Sequence, residues 1–183
     1  PYVVLNRHDQ QDNYICSDNV GGVALLVDQL SEGAKRRGET LRPVYLGYDP
    51  VREISVDREL GFRDGCLRNG VTIDDDSVVH LKHLRDMNDE LFQRLRQRDI
   101  NAVATFNDVI AVYFYQAALH RGIQIPEDLM LVGYDNSPVS ALLDRRIDTI
   151  DMETSRLAFM AGEWLRSLVI ERNPKGIQEM VCG

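Results

Sequence analysis

Asn101-Ala102-Val103-Ala104-Thr105-Phe106, then Asp108-Val109-Ile110-Ala111-Val112 running on to Arg121-Gly122, then Leu129-Met130-Leu131-Val132, is the stretch that decides the fold class. Its first and last segments are apolar runs without polar alternation, the pattern of strands buried on both faces. The segment between them has helical period. Gly122 suits a helix C-cap, and Asp108 stands where an N-cap is expected. Pro126 separates the helix end from the second strand. Strand, helix and strand in that order form a βαβ unit, which pairs its strands in parallel.

The same alternation continues on both sides. Strands are predicted at 2–6, 43–48, 77–82, 147–151 and 177–182. Helices are predicted at 20–37, 55–69, 88–98 and 154–171, with a short irregular one at 137–144. Gly38 follows the first helix as a C-cap should, and Asn173-Pro174 closes the last. The fold class is α/β, a doubly wound, mostly parallel sheet with helices on both faces. Such sheets bind ligands beyond the carboxyl ends of their strands. The polar residues there are Asn6-Arg7, Arg52 and Arg58, Asn107-Asp108, and Asp135-Asn136. Guanidinium forks, carboxylates and amides in fixed directions suit a polyol or a nucleobase. Each also has a plainer reading. Arg58, beside Asp57 and Glu59, is equally a solvated surface arginine, and as a cation near a helix N-terminus it opposes the macrodipole by ~0.3–1 kcal/mol. Asp135 also suits a turn, and Asn107-Asp108 an N-cap pair.

Composition excludes several functions. The chain has 183 residues with a net charge of −8, so its own surface repels a phosphate backbone. No apolar run approaches the ~18 residues that a membrane span needs, and no signal peptide is read at the start. Cys16, Cys66 and Cys182 are widely spaced and form no CxxC pair, which suits reduced thiols and no zinc site. Phosphate-loop, dinucleotide and nucleophile-elbow motifs are missing, so no catalytic residue and no cofactor is expected. His80 and His83 read as strand-end residues rather than metal ligands, and Asp74-Asp75-Asp76 as a polar loop. Tyr113-Phe114-Tyr115 point to different sides of one helix. They are either core plus an exposed tyrosine or part of a subunit contact.

Ala104-Thr105-Phe106-Asn107-Asp108-Val109-Ile110-Ala111, Arg121-Gly122-Ile123, Ile125-Pro126-Glu127-Asp128 and Val132-Gly133-Tyr134-Asp135-Asn136 together resemble the signature of LacI/GalR transcription regulators. Arg58-Glu59-Leu60-Gly61-Phe62 and Asp18-Asn19-Val20-Gly21-Gly22 resemble two further family elements, and Asp148-Thr149-Ile150 resembles the crossover strand.

The resemblance implies a periplasmic-binding-protein-like (type I) sensor with one complete lobe and part of a second. Residues 1–7 and 148–175 would be elements of an incomplete N-terminal lobe. Residues 8–147 and 176–183 would be the C-terminal, effector-binding lobe, and the helix-turn-helix domain is expected to be absent from this chain. The implied effector is a sugar or related metabolite, held by Arg58, Asp135, Asn107, Arg52, Asn6 and Arg7. The implied setting is a cytoplasmic homodimer that pairs through Tyr113, Phe114, Tyr115, Pro138 and Leu142 and reaches DNA only through a segment outside the chain. The family's Gly-His pair before strand 43–48 is not found here, and the aromatic that often stacks on a sugar is not obvious near His80 and His83. Two alternatives share the fold class: a periplasmic sugar-binding protein and a small flavodoxin-like enzyme.

Overall fold

In the computed structural model, which describes residues 2–7, 13–48, 53–170 and 176–181, strands and helices alternate along the chain. They are β1 (Val4–Leu5), β2 (Tyr14–Ser17), α1 (Asn19–Arg36), β3 (Pro43–Tyr48), α2 (Glu53–Arg68), β4 (Val78–Leu81), α3 (Asp89–Gln97), β5 (Ala102–Thr105), α4 (Asp108–Leu119), β6 (Met130–Val132), α5 (Thr154–Ile170) and β7 (Gln178–Val181). A short 3-10 helix at Pro138–Leu142 follows β6.

One parallel sheet has the order β4-β3-β5-β6. The two-residue period of its strands sorts side chains into two cores. Val44, Leu46, Val103 and Leu131 face α3 and α4, where they meet Leu91, Phe92, Leu95, Ile110, Ala111 and Phe114. Tyr45, Ala102, Ala104, Met130 and Val132 face α1 and α2, where they meet Val23, Val27, Leu30, Phe62 and Cys66. Burial on both faces explains why these strands lack polar alternation. Gly61 and Gly65 let α2 lie against α1: a Cβ on Gly61 would sit 2.3 Å from the Val20 carbonyl oxygen, and one on Gly65 2.7 Å from the Val27 Cβ.

A second parallel sheet, β1-β2-β7, is covered by α5 through a small core of Ile15, Leu157, Ala161 and Val181. The α/β class and the parallel pairing expected from the sequence are present in both sheets.

Several local expectations need correction. β2 was not anticipated, because four residues are too few to show a period. It joins β1 and β7, so residues 14–17 and 178–181 lie in the smaller sheet and not with the 8–147 and 176–183 unit expected from the sequence. The shared packing of Ile15 and Val181 with Leu157 and Ala161 is the physical reason. The strand predicted at 147–151 is reduced to single bridges at Asp148 and Asp151. That segment accepts from Gly133 N–H and Asp135 N–H (2.9 and 3.0 Å) without continuing the ladder. The cap of α4 is Asn107 rather than Asp108, with its Oδ1 accepting from Ile110 N–H at 3.1 Å. Gly38 and Gly122 do sit just beyond helix ends at φ +69° and +73°, a region that costs glycine little. Arg52, Cys182, Asn173-Pro174 and residues 8–12 lie outside the described residues.

Candidate binding site

Arg58 is the centre of the site. Helix α2 begins at Glu53, so Arg58 falls in its second turn, clear of the dipole penalty that a first-turn cation meets. The side chain is not a solvated surface group, for it is 2% exposed. Its Nε donates to Asn19 Oδ1 (2.9 Å) and Nη1 to the Phe106 carbonyl. Nη2 donates to Asp135 Oδ1 (3.0 Å) and approaches Met152 Sδ (3.6 Å). The guanidinium carbon lies 3.8 Å from the Tyr134 ring centroid and 4.7 Å from that of Phe106. A desolvated cation against an aromatic face gains ~2 kcal/mol, which offsets part of its lost hydration.

Asp135 follows β6 in a turn with φ +105°, and Asn136 has φ +47°. Two consecutive non-glycine residues in that region cost ~1–3 kcal/mol each, so the surroundings must hold the turn. Burial pushes the Asp135 carboxyl up from its ordinary range, and the attraction of Arg58 opposes the rise. Oδ1 is committed to Arg58, which leaves Oδ2 to accept from a ligand. Asn107 sits beside Phe106 at the end of β5. Its oxygen is used in capping α4, so its NH2 is the group it can offer.

From the smaller sheet, Asn6 (φ +54°) donates through Nδ2 to Met152 Sδ at 3.4 Å, and its buried Oδ1 has no protein partner. Met152 links the two sheets, because its carbonyl accepts from Ser17 Oγ (3.0 Å) while its sulfur lies beside Arg58 and Asn6. A cavity of about 580 Å³ borders the cluster at Asp135, Met152 and the start of α5. A separate groove of about 300 Å³ between the end of α1 and residues 146–148 shares none of these side chains.

The structure thus gathers Arg58, Asp135 and Asn6, with Asn107 next in sequence to the Phe106 carbonyl that Arg58 engages. Arg7 is exposed and pairs with Glu53 across 3.6 Å, at the start of α2. Four participants were missed: Asn19, Met152, Phe106 and Tyr134. Phe106 and Tyr134 directly precede Asn107 and Asp135, and that adjacency at two strand ends was the available signal. His80 faces Glu59 at 2.9 Å, and Glu59 also holds Arg63, so this rim group is already satisfied. No group of three or more His, Cys, Asp or Glu side chains converges as metal ligands among the described residues. Among those residues no helix is long and apolar enough to cross a membrane.

The subunit-contact expectation divides. Tyr113, Pro138 and Leu142 are exposed, whereas Phe114 and Tyr115 are buried in this chain's own core and cannot meet a partner. Phe114 stacks on Phe92 with centroids 5.1 Å apart, and that packing is what withdraws it.

Comparison with known proteins places the fold. The profile of the periplasmic binding protein-like domain matches residues 23–182. The regulator CelR of Thermobifida fusca is 25% identical over 179 residues, covering 94% of this chain and 50% of that protein. The ribose operon repressor of Bacillus subtilis is 27% identical over 175 residues, covering 92% of this chain and 50% of that protein. The chain therefore spans about half the length of these two curated relatives. A periplasmic binding protein/LacI transcriptional regulator from Alkaliphilus metalliredigens, solved with D-xylulofuranose, superposes with a TM-score of 0.80 at 24% identity, covering 100% of this chain and 66% of that one. The relatives it matches are LacI-family transcription regulators, and the chain belongs to the periplasmic binding protein-like domain family.

Proposed function

We propose that this chain is the effector-sensing part of a LacI-type DNA-binding transcription regulator, and that its effector is a neutral sugar or related polyol taken between the two sheets. The observation that carries this reading is the state of Arg58. Its charge is matched by Asp135 and its faces are covered by Tyr134 and Phe106. A ligand therefore meets a carboxylate oxygen and amide groups rather than an open cation. An acceptor oxygen pairs with hydroxyls, and it repels a phosphate or carboxylate. The sugar-linked names of CelR's fellow relative and of the D-xylulofuranose complex support the same class.

Binding would favour one orientation of the β1-β2-β7 sheet relative to the larger one, because Asn6 and Met152 meet Arg58 and Asp135 across the junction. Differential affinity for two orientations shifts their populations. DNA contact is assigned to a helix-turn-helix outside this chain, in keeping with the charge of −8. The reading is of a cytoplasmic sensor rather than an enzyme, since the site offers binding groups without a nucleophile and base. Val109, Tyr113 and Leu142 form the proposed homodimer face, with Pro138 at its edge.

The test is thermal unfolding against neutral pentoses, hexoses and disaccharides, with sugar phosphates as the contrast. A ligand at a hundred times its Kd stabilises by ~2.7 kcal/mol. A neutral sugar should raise Tm, and Asp135→Asn and Arg58→Ala should each abolish the rise. A rise with sugar phosphates alone, or one that survives both substitutions, would sink this assignment. Tyr113→Asp should convert a dimer to a monomer in sedimentation.

A further inference from the structure

Asp108 is the first residue of α4 and is fully buried. No cation lies in contact with its carboxylate among the described residues. Its hydrogen bonds run instead to the turn that carries Asp135. Oδ2 accepts from Ser137 N–H at 2.6 Å, and Oδ1 accepts from the Thr149 hydroxyl at 2.7 Å. That same hydroxyl oxygen accepts from Asn136 N–H at 3.2 Å, so Asn136 is held at second hand. Asp108 N–H donates to the Tyr134 carbonyl at 2.8 Å. Backbone or side chain, Asp108 thus reaches residues 134, 136 and 137, on both sides of the acceptor.

The fit is tight. A Cβ on Gly133 would lie 2.1 Å from Asp108 Oδ1, so the carboxylate passes directly over the chain entering the turn. The turn needs such a hold, because Asp135 and Asn136 both have positive φ without being glycine. Further anchors come from Arg58, whose Nη2 donates to Asp135 Oδ1 (3.0 Å), from Tyr134 OH, which donates to the Asp18 carbonyl (3.4 Å), and from the crossover segment: Asp135 N–H to the Ile150 carbonyl (3.0 Å) and Asn136 Nδ2 to Asp151 Oδ2 (3.0 Å). Thr149 belongs to that segment too, so the Asp108 carboxylate joins α4, the acceptor turn and the crossover at one point.

We propose that Asp108 is the positioning residue of the binding site, holding the Tyr134–Ser137 turn so that the Asp135 carboxylate faces Arg58, while itself touching no ligand. A burial-only role predicts that removing the carboxylate lowers stability and, because its negative charge helps raise Asp135, lowers the Asp135 midpoint without loosening the turn. The positioning role predicts that the turn amides lose protection and that Asp135 also moves when the Asp108–Thr149 bond is cut with no change of charge. The inference rests on the effector reading for its purpose, but the geometry it asserts exists without effector, and so does its test.

The experiment is carbon-detected NMR titration of the Asp135 carboxyl in the ligand-free 183-residue chain, with amide hydrogen exchange at Asn136 and Ser137. Four variants are compared: Asp108→Asn, Thr149→Val, Thr149→Ser and Leu95→Ala, the last a destabilised control in the same unit. Thr149→Val, which changes no charge, should move the Asp135 titration midpoint, and in both Asp108→Asn and Thr149→Val exchange at Ser137 or Asn136 should rise about tenfold or more. Thr149→Ser, which keeps the hydroxyl, should restore both. Leu95→Ala should lower Tm without moving the Asp135 midpoint. Should Asp108→Asn not fold, Thr149→Val and its serine rescue carry the test. An Asp135 midpoint unchanged in Thr149→Val, or moved equally by Leu95→Ala, or turn amides that stay protected in Asp108→Asn, would overturn the proposal. Failure to find any stabilising sugar would count against the effector reading alone.

Discussion

The four-stranded unit and the three-stranded unit use the same βα materials but bury very different amounts. Helix α1 buries ten of its eighteen residues, whereas α5 buries two of seventeen and leaves Phe159, Val169 and Ile170 about 70% exposed. The larger sheet has a core on each face, and among the described residues the smaller one has a single cluster of four buried side chains. The first is therefore a platform, and it is the unit that fixes Arg58, Asn107 and Asp135. The second contributes Asn6 on much thinner support.

The largest expected effect tests the contrast in its simplest form. Phe114→Ala removes a fully buried ring stacked on Phe92 and should cost about 3–5 kcal/mol. Leu157→Ala, beneath α5, should fall near the lower end of the range for leucine, about 2 kcal/mol, because so open a region can relax around the change. Urea denaturation gives both values. Hydrogen exchange should show Leu157→Ala loosening residues 154–170 while β3 and β5 stay protected. Equal costs, or a cooperative loss of β3 with α5, would break the contrast.

Next in size is Arg58→Ala. Removing one member of a buried pair leaves the other charge stranded, a loss of about 3 kcal/mol when both are well buried. Asp135 keeps some exposure, at 23% of its side chain, so the cost should come in below that figure. Arg58→Ala combined with Asp135→Asn should recover part of it, since no stranded carboxylate remains. A double variant no more stable than Arg58→Ala would mean that the contacts with Tyr134 and Phe106, not the ion pair, are what Arg58 supports.

A smaller effect follows pH. Burial pushes the carboxyls of Asp108 and Asp135 up, against the opposing hydrogen bonds of Thr149 and Ser137 and the attraction of Arg58. Groups that bind protons more readily when folded stabilise most at low pH. Their contribution is lost as pH rises from the ordinary carboxylate value through the raised folded one. Asp74 and Asp86 act oppositely. Hydrogen bonds from Ser77 and from the His83 amide hold them below the usual range, so their contribution is lost as pH falls. All four belong to the four-stranded unit. Asp108→Asn should flatten the decline in Tm on the rising side, and exchange in α5 should not follow it. A wild-type slope retained by Asp108→Asn would assign the whole effect to Asp135.

The platform was legible in the sequence and the junction was not. Val44-Tyr45-Leu46 and Ala102-Val103-Ala104 declare strands buried on both faces, because either face needs apolar side chains. Tyr14-Ile15-Cys16-Ser17 declares nothing, since its partners, β1 and β7, are set by pairing across the chain rather than by a local period. Arg58 and Asp135 could be placed after strands, but the partners that define their state are distant. Asn19 lies 39 residues from Arg58 and Met152 lies 94 away. The aromatic run in α4 shows the same limit. Helical geometry says that Tyr113, Phe114 and Tyr115 cannot share a face, yet only the position of Phe92 decides that Phe114 turns inward.

Asn107 offers the smallest effect and separates the platform's two duties within one side chain. Its oxygen caps α4 through Ile110 N–H, and its NH2 is what remains for a ligand. Asn107→Ala removes both and should cost about 1 kcal/mol, the usual value of a lost N-cap. Asn107→Asp keeps a capping oxygen, so stability should change by only a few tenths of a kcal/mol. It also replaces a donor by a second carboxylate near Asp135, so the stabilisation given by a neutral sugar should fall in Asn107→Asp as far as in Asn107→Ala. If Asn107→Asp retained the full ligand-induced rise in Tm, the NH2 would be no part of recognition. Asn107 would then be a cap alone, and the site on the platform would shrink to Asp135 and the arginine that orients it.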